Sequence, residues 1–140
     1  MTDQTARAAY SDATVPAVLP LVGRIGIASI FVLSGLAKIG APGAALAYIA
    51  SSGLPFPELG LAIALFVELG VSAALVIGWR TRAAALVLAA FSVVTAFAFH
   101  NHLADQNQFI HFFKNIALAG GLLNVVAFGG GSLSLDARRR

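Results

Sequence analysis

Arg24, Lys38, Glu68 and Lys114 fall inside or at the edges of long apolar stretches, with the amide of Asn115 beside the last of them. A charge at the centre of a bilayer costs roughly 2.5–3.5 kcal/mol on insertion scales, so such side chains turn toward protein and seek partners. Two chemistries are open to them. One is a structural ion pair that locks helices together. The other is a protonatable site that holds a ligand such as a quinone, or that conducts protons. Buried pairs without chemistry are common, which favours the structural pair.

The spacing supports inward-facing stripes. Arg24, Ala28, Phe31, Gly35 and Lys38 recur at steps of three and four, which is one helical face. Gly60, Ala64, Glu68 and Ser72 form a second small and polar stripe, and Lys114, Ala117 and Gly121 a third, with Asn115 and Leu118 adjacent. Small residues at these steps let membrane helices approach closely. Glu68 is expected to meet a cation, with Lys114 the first choice and Lys38 and Arg24 behind it. Lys114 already lies inside its stretch, whereas Lys38 can snorkel outward.

His100, His102 and His111 cluster near one end of the apolar stretches. They are weak candidates for a metal or haem site. The helical i, i+4 pair and an accompanying carboxylate motif are both missing, so hydrogen bonding is the expected role and no metal is assigned. No phosphate loop, nucleophile elbow or triad pattern is present, and no catalytic residue is assigned. The absence of cysteine removes thiolate and disulfide chemistry from this chain.

The elements that carry these residues follow from composition. Of 140 residues, 59% are hydrophobic and 11% charged. Soluble domains are nearer a quarter charged, so the class is membrane. The net charge of +3 comes from arginines outside the apolar stretches, which fits topology signals and argues against a nucleic-acid partner. Apolar stretches run over 20–37, 59–79, 83–99 and 109–128. Each holds about 17–21 residues, enough to span a bilayer core at ~1.5 Å per residue. The fold expected is an all-α bundle of four transmembrane helices. A polar tail is placed at 1–16, the bundle at 17–131 and a basic tail at 132–140. In the longest connection, proline and glycine bracket 44–51, which predicts a short interfacial helix with Leu46, Tyr48 and Ile49 against lipid or the bundle top.

Several motifs also resemble one family. GRIGIASIFVLSGLAKI runs over Gly23–Ile39, ELG begins at Glu68, and GWRTRAAAL covers Gly78–Leu86. HFFKNIALAGGLL covers His111–Leu123, and GSLSLD covers Gly131–Asp136. In order and spacing they resemble the DoxX family of small bacterial membrane proteins. The resemblance implies a four-helix bundle in the inner membrane, with Lys38, Glu68, Lys114 and Asn115 as motif positions. It implies no catalytic residues. Relatives of that family include a subunit of thiosulfate:quinone oxidoreductase and proteins of methylamine use, and other members look like membrane partners of redox or oxidative-stress enzymes.

The leading expectation is therefore an accessory or anchoring subunit of a respiratory or redox complex, without catalytic activity or an intrinsic cofactor of its own. A quinone-binding oxidoreductase component is the first alternative. A small transporter or proton-conducting protein centred on Glu68 is the second. The expected partners are the bilayer, a protein of the complex, and a second copy of the chain.

Orientation is predicted by the arginines. Arg80, Arg82, Arg138, Arg139 and Arg140 share one side of an even-spanning bundle, which the positive-inside rule places in the cytoplasm with both termini. The chain has no cysteine, so single cysteines can be introduced cleanly in the 80–82 turn and at Asn107. An impermeant thiol reagent applied from the periplasm should label Asn107→Cys and spare the turn; the opposite pattern would invert the topology.

Overall fold

A computed structural model describes residues 15–139, and among these every regular element is a helix. The elements are α1 (Val18–Gly40), α2 (Pro42–Ser51), α3 (Pro57–Ile77), α4 (Thr81–Phe99), α5 (Gln106–Phe128) and the single turn α6 (Leu135–Arg138). α1, α3, α4 and α5 are long and apolar enough to cross a membrane. All but Val15 and Pro16 of the expected N-terminal tail lies outside the described residues.

The helices start earlier than the apolar runs because of local chemistry. Pro42 and Pro57 open α2 and α3, positions where a missing N–H costs nothing. Asp105 caps α5, its carboxylate accepting from the Gln108 N–H at 2.9 Å. Asp105 and Gln108 have the spacing of a capping box, so the first polar turn of α5 was readable within what sequence treats as a loop.

The core is a seam of small residues on α4, with Leu88 of α4 itself, packed against large residues from α3 and α5. Ala84, Ala85, Ala89, Ser92 and Ala96 are buried along α4, and Leu75, Leu88 and Leu122 are completely enclosed. Outward, Phe66 is 69% and Phe128 82% exposed. In water such an apolar surface would be a liability; here it is the surface that lipid covers.

The α1 face is the expected one, with Arg24, Ala28, Phe31 and Gly35 buried. In α3, Ala64, Glu68 and Ser72 are buried, as expected. α5 differs. Phe112, Ala119 and Leu122 face the core while Ala117 is exposed. The alanine seam of α4 leaves room for large side chains, so α5 presents its bulk there and turns Lys114 to the edge of the contact.

The basic end is tightly tied. Gly78 leaves α3 with φ 77°, where a Cβ would collide with Ser134. Arg24 does not approach Glu68 as expected. Its guanidinium donates to the carbonyl oxygens of Leu75 (2.9 Å), Val76 (2.6 Å) and Leu133 (2.5 Å). The first two close α3, where the helix dipole favours a cation. The chain beyond α5 is no loose tail. Asp136 accepts from the N–H groups of Arg80 (2.8 Å) and Thr81 (2.7 Å) and from the Thr81 hydroxyl (2.7 Å). It thereby caps α4 from a distant part of the chain.

Those bonds, the Thr81 hydroxyl first, hold the Asp136 carboxyl below its ordinary range. A lowered folded pKa means the stabilisation is present above the unfolded value, ~3.9 for Asp, and is lost as pH falls through the folded value. Asp136→Asn should cost about 1 kcal/mol, the usual worth of a cap. In detergent melts it should lower Tm at neutral pH and flatten the wild-type decline in acid.

Candidate functional site

The site grows from one buried acid. Glu68 lies in a π-helical turn, Phe66–Val71, inside α3. Such turns are uncommon and recur at functional positions. α1 crosses this turn at Gly35, where a Cβ would lie 2.8 Å from Leu69 Cγ and 3.3 Å from Glu68 Cβ. Glycine here brings the two backbones close. One turn further along α1, Lys38 Nζ donates to both Glu68 oxygens at 2.9 Å. Ser34 closes a triangle, donating to Glu68 Oε1 at 3.0 Å and accepting from Lys38 Nζ at 2.8 Å. The Glu68 side chain is 6% exposed and that of Lys38 25%.

This corrects the expected order of partners. Lys38 pairs with Glu68; Lys114 and Arg24 do not. The reason is geometric. Lys38 stands on the α1 face that touches α3, whereas Lys114 lies across a cavity from Glu68 and Arg24 is held at the far end of the bundle.

The cavity has a volume of about 610 Å³ and is bounded by all of α1–α5. Its walls are mainly apolar, including Ile30, Phe31, Ile63, Phe91 and Leu118. α2 forms its roof: Ile49 is buried against Gly60, and Tyr48 stacks on Phe99 at 5.4 Å between ring centres. The expected interfacial helix is thus present, two residues longer at its start.

The polar lining gathers in two places. One is Ser34, Lys38 and Glu68. The other is Thr95, His100, Lys114 and Asn115. Asn115 Nδ2 donates to Thr95 Oγ1 at 3.1 Å, and the Thr95 hydroxyl donates to the Phe91 carbonyl at 2.9 Å. Lys114 Nζ donates to His111 Nδ1 at 2.9 Å. His111 stacks on His100 at 5.1 Å, and His100 Nδ1 meets Gln108 Oε1 at 3.0 Å. His102 is exposed in the loop, and no group of metal-ligating side chains assembles among the described residues.

Of the sequence candidates, Lys38, Glu68, Lys114 and Asn115, with His100 of the three histidines, therefore line one cavity, and Arg24 does not. Ser34 and Thr95 were missed. Ser34 is four residues before Lys38, a signal that was available; Thr95 carried none, because its role depends on α5 packing beside it.

Comparison with known proteins agrees with this architecture. The family model described as DoxX matches residues 19–101, which covers α1 to α4 with Lys38 and Glu68. The Escherichia coli inner membrane protein YqjF is 35% identical over 116 residues, 83% of this chain and 88% of that protein. The E. coli inner membrane protein YphA is 32% identical over 126 residues, 86% of this chain and 90% of that protein. No solved structure matches.

The pair yields an asymmetric expectation. Breaking a buried pair costs roughly 3–5 kcal/mol, less where one partner reaches water. Lys38→Met strands a buried carboxylate, whereas Glu68→Gln leaves an ammonium that can snorkel. In detergent melts Lys38→Met should be the more damaging, and Lys38→Met/Glu68→Gln should recover part of the loss. Strictly additive losses would show that the pair does not hold the bundle.

Proposed function

Because the chain belongs to the DoxX family and is a multi-pass protein of the inner membrane, we propose that it is a membrane subunit of a redox complex and that it holds a quinone in the cavity beside Glu68. The observation that carries this reading is the cavity. At about 610 Å³ it lies within the ~300–1,000 Å³ of small-molecule sites, which pair apolar walls with a few convergent polar groups. A quinone matches that division. Its carbonyl oxygens accept hydrogen bonds from donors such as Lys38, Lys114 and Asn115, and its ring and tail take the apolar walls.

Access fits as well. Ile63 and Val94 line the cavity and are exposed in the apolar layer, so the bilayer, where quinones reside, offers the approach. The ion pair serves this reading without carrying the chemistry. It satisfies Glu68 and fixes α1 against α3, which keeps one wall rigid. In this reading the chain supplies the binding site and the partner enzyme supplies the electron transfer.

The test is purification in mild detergent with analysis of bound quinones and co-purifying chains, followed by titration with a short-chain quinone. Binding should raise Tm with concentration. Ala98→Phe, which fills the cavity from α4, should abolish the shift. A protein that carries no quinone, shows no shift and travels without a redox partner would end this proposal.

A further inference from the structure

The charges around the cavity do not cancel. Lys38 and Glu68 neutralise one another at 2.9 Å. Lys114 lines the same cavity, and its hydrogen-bond partner is the neutral acceptor nitrogen His111 Nδ1 at 2.9 Å. Among the described residues no carboxylate pairs with it. The other acids near this end are committed elsewhere: Asp105 caps α5, and Glu58 is exposed in the first turn of α3. The neighbouring His100 is engaged with Gln108 and adds no negative charge.

An ammonium has three N–H donors, and His111 takes one. An uncompensated cation beside apolar walls inside a bilayer is costly, and the cost falls when a ligand brings the counter-charge. We infer that Lys114 is the head-group cation of this cavity, and that the preferred ligand is an amphiphile whose head carries an anionic oxygen. This rests on the quinone reading above and sharpens it: the site favours ionised quinone species over neutral quinone. His111 orients the ammonium by accepting from it, and Asn115, tied to Thr95, fixes the adjacent wall.

The experiment uses the full chain in detergent and three probes with the same alkyl chain. They are a 2-hydroxy-1,4-naphthoquinone, ionised at neutral pH, its neutral 2-methoxy counterpart, and a fatty acid. Affinities are measured by calorimetry for wild type, Lys114→Met and Lys114→Arg, each first checked for a cooperative melt. The hydroxyquinone should bind at least about tenfold more tightly than the methoxyquinone, the scale of one charge-assisted hydrogen bond. Lys114→Met should erase the preference and Lys114→Arg should keep it.

Equal affinities for the two quinones in wild type would overturn the anion preference and leave the quinone reading standing. A preference that survives in Lys114→Met would overturn the assignment to Lys114. Fatty-acid binding that depends on Lys114, with neither quinone bound, would support the head-group cation and remove the quinone reading.

Discussion

A carboxylate placed mid-bilayer dictates much of this bundle. Glu68 must meet a cation or donors, because hydrocarbon supplies none. Its solution is Lys38 from α1, with Ser34 joining both groups. That contact requires α1 to cross α3 closely, hence glycine at position 35. It also coincides with the π turn, Phe66–Val71, which interrupts the α-helical hydrogen-bonding pattern at the residue that pairs. The cavity opens beside this crossing, with Lys114, Asn115 and Leu118 of α5 on another of its walls.

The two ends of the bundle meet the cost of polar groups differently. At the basic end, backbone carbonyls and N–H groups do the work. Arg24 gathers the last carbonyls of α3 and one from the returning chain, and Asp136 gathers the first N–H groups of α4. Two helix ends and the C-terminal segment are thereby closed on each other, with glycine at 78 and 130 allowing the contact. At the opposite end the polar atoms are side chains around a void, roofed by a helix of ten residues. The backbone-capping bonds lie at one end of the bundle and the cavity at the other.

What the sequence made legible was periodicity. The face of α1 could be read to the residue, because Arg24, Ala28, Phe31 and Gly35 repeat as a helix repeats. The spans were legible because hydrocarbon imposes a length. The partner of Glu68 was not. Depth along the membrane normal suggested Lys114, but pairing depends on which helices are neighbours across the bundle, and sequence spacing says nothing of that. The face of α5 was misread for a related reason: small residues suggested contact, yet the contact surface on α4 was already small and demanded large side chains in return. The role of Asp136 was invisible, since it caps a helix that begins 55 residues earlier at Thr81.

These observations connect through the three intramembrane cations. Arg24 is answered by three carbonyl dipoles, Lys38 by a full carboxylate, and Lys114 by an imidazole nitrogen. The compensation therefore falls across the cavity, from complete on the α1–α3 wall to partial on the α5 wall. Replacing an underpaired lysine with an apolar residue would remove the cost of burying it, so the proposed reading gives the ammonium a use that packing alone does not require. On that reading an anionic head group supplies the acceptors that the protein leaves out around Lys114 Nζ. On the proposed reading the walls divide the work: the fully paired α1–α3 side holds shape, and the underpaired α5 side is the one that would meet a ligand.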